Sequence, residues 1–589
     1  MEVTKSNFYQ LIPEIKEAIE KCDFISIDCE LTGLNTVNDI NAFDTQKQYY
    51  EKVRKSSKNF LIIQYGLCMF RYDHDTKTYK QASYNFYIFP KSGNKYVPDH
   101  RFLCQSSCID FLMSCGFDFN KLFKEGIPYL NSNEEDKYRE ILSDVQKIRA
   151  NQIQNNFSPD TKNSVISMTV EEKTFVDSVF KEIEDFIASD SEEHALPKCN
   201  AYLRRLIYQE ARKTLKNKAC LETRVLDNKD RVLVVTRLKS KAAQEEEHNK
   251  MIEQEEDEFE KCVGFSTIIK AIVESEKLIV GHNMCLDLLH TIDQFLTPLP
   301  CNYDEFKELA NFSFPKVLDT KYMSSVTQFK NLIDSNVLAN LLATLQKDPF
   351  RMPDIEIEEN RRGYTLNSNK AHEAGYDAYI TGVCFSTMWN YLHDGEKLSN
   401  PDVSLLKPYI NRLFLMRLQD SPFIHLGGRD PVPPRDHVVY LSFPKNWKLN
   451  DIIQLFSPFG NIYVSWIDDH SAFISLQKKD QVSIALSTLS QSDTYSIMTY
   501  AQHHSKLTGE NNVSASSSNS SSHKKRSADN SHAAPKKRKT NIGESVLKQK
   551  LNNESDMGEV CKSTGKVSTP QKTLNKKQLQ PTFSELTWD

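Results

Sequence analysis

The chain predicts an α/β protein: a mixed-sheet domain, split by an insertion and followed by a smaller α+β module. Three observations carry that prediction. Short apolar runs rich in strand formers recur at residues 24–30, 60–70, 84–89, 278–281 and near Val317. The first three suit an antiparallel half-sheet that later receives the last two, and the long interval between them marks an insertion. Beyond a linker at Pro431-Val432-Pro433-Pro434, signals for strand, helix, strand and strand follow in order.

The first run, Phe24-Ile25-Ser26-Ile27-Asp28-Cys29-Glu30, reads as a buried strand ended by Thr32-Gly33. Strand side chains alternate between faces, so Asp28 and Glu30 point the same way. Two adjacent carboxylates repel unless a cation lies between them. The competing reading is two solvated acids at a strand end, because D-x-E is common by chance. The run at 278–281 continues through His282-Asn283 into a helix from Met284 onward, with Asn283 as its N-cap. Asp287 then lies about one turn inside, where the helix dipole alone would also favour an acid. Further on, His372 stands five residues before Asp377, which opens a helix of small and apolar residues.

D-x-E near the N-terminus, G-H-N-x3-D in the middle and H-x4-D toward the end resemble the DEDD exonucleases of the ribonuclease H-like fold, in the subclass that uses histidine. The tyrosine subclass would place Tyr where this chain has Glu373. Longer stretches narrow the resemblance to the poly(A)-specific ribonuclease family of mRNA deadenylases. They are Ile27-Asp28-Cys29-Glu30, Gly66-Leu67-Cys68, Cys104-Gln105-Ser106-Ser107, Gly116-Phe117-Asp118-Phe119-Asn120-Lys121, Gly126-Ile127-Pro128-Tyr129-Leu130, Leu318-Asp319-Thr320-Lys321 and His372-Glu373-Ala374-Gly375-Tyr376-Asp377. The likeness covers most of the chain up to residue 505.

The resemblance implies that Asp28, Glu30, Asp287 and Asp377 ligate two Mg²⁺ ions, one activating a water and one stabilising the leaving 3′ oxygen. Oxygen-rich, cysteine-free ligation favours Mg²⁺ or Mn²⁺ over zinc. It implies that His372 takes the water's proton, which suits imidazole near neutral pH. The product would be 5′-AMP, released one nucleotide at a time from a 3′ end. By the same resemblance Asn283 and Lys321 contact the terminal nucleotides, and Leu34, Ile109 and Phe111 line the base pocket. Core packing is the alternative for the apolar three. Leu31 stands where the family has an aromatic residue.

Composition bounds the remainder. A chain of 589 residues has room for several cores, and its formal charge of −5 averages acidic stretches against local basic surfaces. Thirteen cysteines without a C-x2-C pair or a secretory signal point to reduced thiols in an intracellular protein. Cys104 and Cys108 lack a second pair, so a zinc site is not expected. No stretch approaches the roughly 18 apolar residues of a membrane span.

These signals place the nuclease domain at 1–160 and 245–425, the insertion at 165–240, an RRM-like module at 432–505 and a disordered tail at 506–589. In the insertion, Thr169-x-x-Glu172 is a capping-box signature. The helix it opens carries Phe175, Val176, Val179, Phe180, Ile183, Phe186 and Ile187 on one stripe. A second helix bears Leu203, Leu206 and Ile207 with Arg204 and Arg205, and Val232-Leu233-Val234-Val235 reads as a strand. Size and order resemble the small single-strand-binding module named for an Arg-x3-His signature. Here Tyr208 occupies the histidine position, so RNA contact and a packing or dimer-supporting role both stay open. The Glu-rich run 245–260 reads as a solvated helix leading back to the nuclease.

The C-terminal order of elements suits an RNA-recognition motif, with degenerate RNP signatures. By resemblance Trp466 is the ring for the 5′ cap, an indole stacking on positively charged 7-methylguanine; a core tryptophan is the alternative. In the tail, Lys524-Lys525-Arg526 and Pro535-Lys536-Lys537-Arg538-Lys539 look like a bipartite nuclear localisation signal or a flexible RNA-attracting arm. Nucleus and cytoplasm are the expected residences. The leading expectation is a homodimeric, Mg²⁺-dependent 3′-to-5′ exoribonuclease acting on single-stranded poly(A) RNA and binding the mRNA cap, with no membrane partner. Its rivals are a noncatalytic RNA-binding scaffold and an exonuclease of the same fold that trims noncoding RNA or DNA.

Overall fold

The structure is a computed structural model that describes residues 2–508 except 35–39, 92–94, 158–165, 216–217, 226–230, 238–240, 327, 369, 394–402 and 421. Its strands, in chain order, begin with β1 (Glu2–Val3), β2 (Phe24–Leu31), β3 (Ile62–Asp73) and β4 (Thr78–Tyr87). Next come β5 (Glu193–Ala195), β6 (Ala219–Val225) and β7 (Arg231–Arg237) of the insertion, then β8 (Leu278–Gly281), β9 (Val317–Asp319) and β10 (Ile355–Ile357). The chain continues through β11 (Arg412–Phe414) and β12 (Phe423–His425) to β13 (Val438–Ser442), β14 (Ile462–Asp468), β15 (Ser471–Leu476) and β16 (Ser496–Thr499).

A seven-stranded mixed sheet runs β1-β4-β3-β2-β8-β9, with β10 also beside β4. β2, β3 and β4 pair antiparallel; β8 lies parallel to β2, and β9 parallel to β8. β4 starts well before the apolar run at 84–89, because polar Lys80 and Gln81 mask its beginning in the sequence. Register sets rows of side chains across the sheet. Asp28 stands opposite Gly66, which stands opposite Asn85; the next row is Glu30, Gln64 and Tyr87. Directly opposed residues share a face.

The helix Ala374–Leu392 lies along that same face, guided by alternate residues of β2. Phe24 meets Phe385 with ring centroids 4.9 Å apart, and Ser26 Oγ donates to the Ala378 carbonyl at 2.6 Å. Asp28 and Glu30 therefore reach the start of this helix. Its other neighbours are core residues such as Phe70, Val280, Leu318 and Leu341, which explains why the helix is buried over almost all its length.

Two helices, Ser132–Phe157 and Lys241–Val263, run side by side and carry the insertion. Arg149 pairs with Glu255 at 2.6 Å, and the Tyr138 and Phe259 rings meet at 5.2 Å. Beyond them the helix Val170–Ala188, capped by the Thr169–Glu172 box, and the helix Ala201–Thr214 pack on a β5-β7-β6 sheet around Val179, Ile183, Leu206 and Val235. Arg204 is held internally, donating to the Cys199 carbonyl at 2.6 Å, and the Tyr208 hydroxyl meets Thr223 Oγ1 at 2.9 Å.

The C-terminal sheet has the order β14-β15-β13-β16, with helices Leu449–Phe456 and Val482–Leu489 on one face around Val439, Ile452 and Ile474. Strand alternation puts Tyr440 and Phe473 on the other face, where they join Phe43 of the nuclease and Tyr500. Residues 504–508, at the end of the helix Tyr500–Thr508, belong to a second unit and are its described part. Among the described residues no helix is long and apolar enough to cross a membrane.

Phe385→Ala removes a ring that fills the space between β2 and the long helix. It should lower unfolding free energy by about 3–5 kcal/mol, read as a reduced urea midpoint; an unshifted midpoint would contradict this packing account.

Candidate active site

Carboxylates from widely separated segments of the sequence converge above β2. One ligand atom each from Asp28, Glu30 and Asp377 lies within 4.8 Å of the others. Glu30 is 3% exposed, whereas Asp28 and Asp377 are half-buried, so the group opens to solvent on one side. Three acids so close repel strongly unless positive charge joins them. An all-oxygen donor set of this kind fits a hard divalent cation.

Asp377 also organises its own surroundings. Its Oδ2 accepts the backbone N–H of His372 at 3.0 Å, and His372 holds a left-handed φ of +67°. The ring of Phe111 meets the imidazole edge-on, with centroids 4.8 Å apart. The intervening Glu373 turns elsewhere: it accepts from Tyr364 and, at 2.9 Å, from Lys370. The residue in the place of the other subclass's tyrosine thus secures the loop.

Asp287 arrives from the neighbouring parallel strand. It is the third residue of the helix Cys285–Thr291, which follows β8, and it is not part of the three-acid cluster. Its charge acts, with those of Asp28 and Glu30, to raise the buried Cys29 thiol, after the larger effect of burial itself. Burial, and next the charge of Asp319, push the Asp287 carboxyl up to about 8.

Asn283 is not the N-cap expected from the sequence. Met284 holds that position without a side-chain bond, and Asn283 takes a φ of +56° in the preceding turn. The acceptor comes from across the sheet. Asp319 receives the N–H groups of Asn283 and Lys321 on Oδ1, at 2.9 and 3.0 Å, and those of Met284 and Phe414 on Oδ2, at 3.3 and 3.0 Å. Burial raises the Asp319 pKa, opposed by these donors and by the Lys321 charge. Thr320 Oγ1 donates to the Gly281 carbonyl at 3.0 Å and meets His282 Nδ1 at 2.9 Å. Burial, then Lys321, lower the His282 pKa to about 3, so it is neutral.

The remaining expected positions divide into groups. Leu34 lies beside the helix Ser106–Ser114, its N–H donating to Gln105 Oε1 at 3.1 Å, and that helix carries half-buried Ile109 and Phe111. Leu31 is core, at 2% exposure. Lys321 is 3% exposed, with Nζ 5.8 Å from the centre of the Phe414 ring. Trp466 is 42% exposed on β14, with its ring edge-on to the buried Phe443 at 5.4 Å, so it lies at the rim of the module's core with part of the indole open to solvent. The basic residues Lys524, Lys525, Arg526, Lys536, Lys537, Arg538 and Lys539 lie outside the described residues. Sequence reasoning missed the role of Asp319, although its motif was visible. An acid directly after an apolar run, ahead of Thr-Lys, was the available signal.

Comparison with known proteins supplies the family. The model of the CAF1 family ribonucleases matches residues 3–385, and that of an RNA binding domain matches 428–506. A poly(A)-specific ribonuclease of Xenopus laevis is 43% identical over 529 residues, covering 87% of this chain and 82% of that one. A pre-piRNA 3′-exonuclease trimmer of Bombyx mori is 26% identical over 528 residues, covering 86% and 95%. Among solved structures, S. pombe Pop2p in a Mg²⁺- and Mn²⁺-bound form aligns at 14% identity and a TM-score of 0.32, covering 70% of this chain and 98% of that one. On the family model that matches residues 3–385 and the 43% identical relative, the chain belongs to the CAF1 family of ribonucleases, in a form that carries a C-terminal RNA-binding domain.

Proposed function

We propose that this chain is a divalent-metal-dependent 3′-to-5′ exoribonuclease that shortens poly(A) tails and releases 5′-AMP. One observation carries the proposal: in a ribonuclease-family chain, Asp28, Glu30 and Asp377 bring ligand atoms to within 4.8 Å of one another. Those three, with Asp287 from the adjacent helix, are the residues that would hold two Mg²⁺ or Mn²⁺ ions. When bound, such ions lower the pKa of an attacking water and offset the charge that develops on the phosphodiester. His372 accepts the water's proton, its ring restrained by Phe111. The leaving 3′ oxygen takes up a proton, and the chain ends one nucleotide shorter. Lys321 contributes fixed positive charge, and Asn283 meets the terminal nucleotide from its left-handed turn. Leu34, Ile109 and Phe111 flank the terminal base.

Adenine preference is supported by the 43% identical relative named for poly(A). Trimming of noncoding RNA is the second reading, favoured by the relative that trims pre-piRNA. A noncatalytic scaffold has no physical need to gather mutually repelling acids. Trp466 supports binding of the mRNA cap, because an exposed indole is free to stack on a cationic base. The helix and strand order of the insertion resembles that of a small single-strand-binding module, and the hydrogen bonds of Arg204 to the Cys199 carbonyl and of Tyr208 to Thr223 within the insertion favour a packing role. A homodimer, and residence in nucleus and cytoplasm through the basic clusters of 524–539, complete the proposal.

With Mg²⁺ the purified chain should degrade 3′-terminal oligo(A) faster than oligo(C) and yield 5′-AMP; equal rates would defeat the poly(A) assignment. Asp28→Ala or Asp377→Ala should abolish turnover with circular dichroism unchanged, and activity that persists in EDTA would remove the metal mechanism. Trp466→Ala should weaken cap-analogue binding by about tenfold, the loss expected of one cation–π stack; tryptophan fluorescence titration would expose an unaltered affinity. The raised Asp287 pKa carries a sign. Without metal, its neutral form favours folding fully below pH 3.8, and that contribution is lost as pH rises through about 8. Metal selects the charged form, so Mn²⁺ affinity should climb by up to about tenfold per pH unit toward pH 8. Calorimetry in buffers of different ionisation heat would detect the released proton, and pH-independent binding would refute it.

A further inference from the structure

We infer that Gln64 and Asn85 are positioning residues that cap, from the sheet, the helix bearing Asp377, and so fix Asp377 and His372 against Asp28 and Glu30. The inference rests on the reading of Asp377 as a metal ligand. A helix begins with N–H groups that have no partner within the helix. For Ala374–Leu392 the residue at the N-cap is Glu373, whose side chain makes no capping bond because it serves Tyr364 and Lys370. The sheet supplies the acceptors. Gln64 Oε1 takes the Ala374 N–H at 2.9 Å, and Asn85 Oδ1 takes the Gly375 N–H at 3.1 Å.

Both side chains are buried, at 2% and 0% exposure, so their geometry is set by packing. Both belong to the rows that hold the acids. Gln64 is the direct partner of Glu30 on β2, and Asn85 is joined to Asp28 through Gly66. The helix start and the two acids are thereby measured from the same three strands. Gly66 leaves the notch between them: a Cβ there would stand 1.9 Å from the Ala374 carbonyl oxygen, lifting the first turn. Asp377 lies in that turn and in turn holds the His372 N–H at 3.0 Å.

Asn85 adds a chemical argument. Its Nδ2 is buried and makes no hydrogen bond among the described residues. A buried unsatisfied donor is destabilising, so the amide contributes through its acceptor. A carboxylate would accept equally well but would bring a fourth or fifth negative charge toward the acids. Neutral amides meet both demands.

The test uses the full chain with Gln64→Met, which keeps length and loses the acceptor, and Asn85→Leu. Mn²⁺ binding is read without RNA by the electron paramagnetic resonance signal of free Mn²⁺, alongside kcat, KM for oligo(A) and the thermal midpoint. Changing a residue that orients a metal ligand typically weakens metal binding by about 10–100-fold. Gln64→Met should therefore raise the Mn²⁺ dissociation constant by about tenfold or more and lower kcat at fixed Mn²⁺, while KM moves by less than about twofold. Should Asn85→Leu fail to fold, Gln64→Met decides alone. Unchanged Mn²⁺ affinity and kcat in a folded Gln64→Met protein overturn the inference, as does a loss confined to the thermal midpoint. Wild-type protein that binds no Mn²⁺ would instead overturn the metal-site reading beneath it.

Discussion

Mutual repulsion among acids is the constraint on which the rest of the structure depends. Ligand atoms within 4.8 Å repel by on the order of 3 kcal/mol per charged pair at an effective dielectric of about 20, and by less where water reaches them. Nothing in that arrangement holds itself together. The positions must be imposed by elements whose own stability is large and lies elsewhere. β2 serves because it sits inside the sheet, with β3 on one side and β8 on the other. The long helix serves because its far end is anchored by Phe385 and Trp389 in the apolar core, well away from the charges.

The middle segment is solved by the same principle with a different group. Asp319 gathers four backbone N–H groups from the turn after β8, the start of the helix Thr320–Ser325 and β11. All four partners are donors, so an acceptor-only side chain is required. An asparagine there would face its own NH₂ toward N–H groups on one side. The desolvation that raises the Asp319 pKa is offset locally by these dipoles and by Lys321. Lys321, 3% exposed, is accordingly a structural counter-charge to Asp319.

What could be read from the sequence follows from which forces are local. Period-two alternation placed Asp28 and Glu30 on one face, and the Thr169–Glu172 box fixed a helix start to the residue. Both depend on neighbours in the chain. The N-cap assigned to Asn283 failed because the acceptor came from Asp319, on another strand, and the backbone turned left-handed instead. β5 and β6 went unread: the first has three residues, and in the second the small Ala219 and Leu221 that face the core alternate with Cys220, Glu222 and Arg224, a stripe too short to stand out. The last helix and strand of the C-terminal module, Val482–Leu489 and β16, were also not read; the helix carries Val482, Ala485, Leu486 and Leu489 on one stripe over only two turns, and β16 is a four-residue edge strand without a fully buried position. The three-acid cluster was legible as residue types at the right spacing. The amides that aim it were not, because Gln64 and Asn85 meet backbone N–H groups 310 and 290 residues further along the chain, a pairing that no local pattern announces.

The C-terminal module shows the same logic applied to aromatic rings. On an open sheet of this kind Tyr440 and Phe473 would be the surface offered to bases. Here Phe43 meets Phe473 with ring centroids 6.0 Å apart, and His503 stacks on Tyr440 at 3.9 Å. Arg435, 8% exposed, locks the contact, bonding both Asp420 oxygens at 2.8 and 2.9 Å and the carbonyls of Phe43 and Asp44. Removing Phe43 from the sheet would leave that guanidinium buried with part of its partners gone, a costly state. Asn41 donates to the Trp466 carbonyl at 2.9 Å, so the nuclease segment also braces the strand from behind the indole. On the edge strand Tyr463, 47% exposed, still meets Phe43 edge-on at 6.2 Å, whereas Trp466, 42% exposed, stands on the opposite face of the strand, clear of the docked nuclease segment.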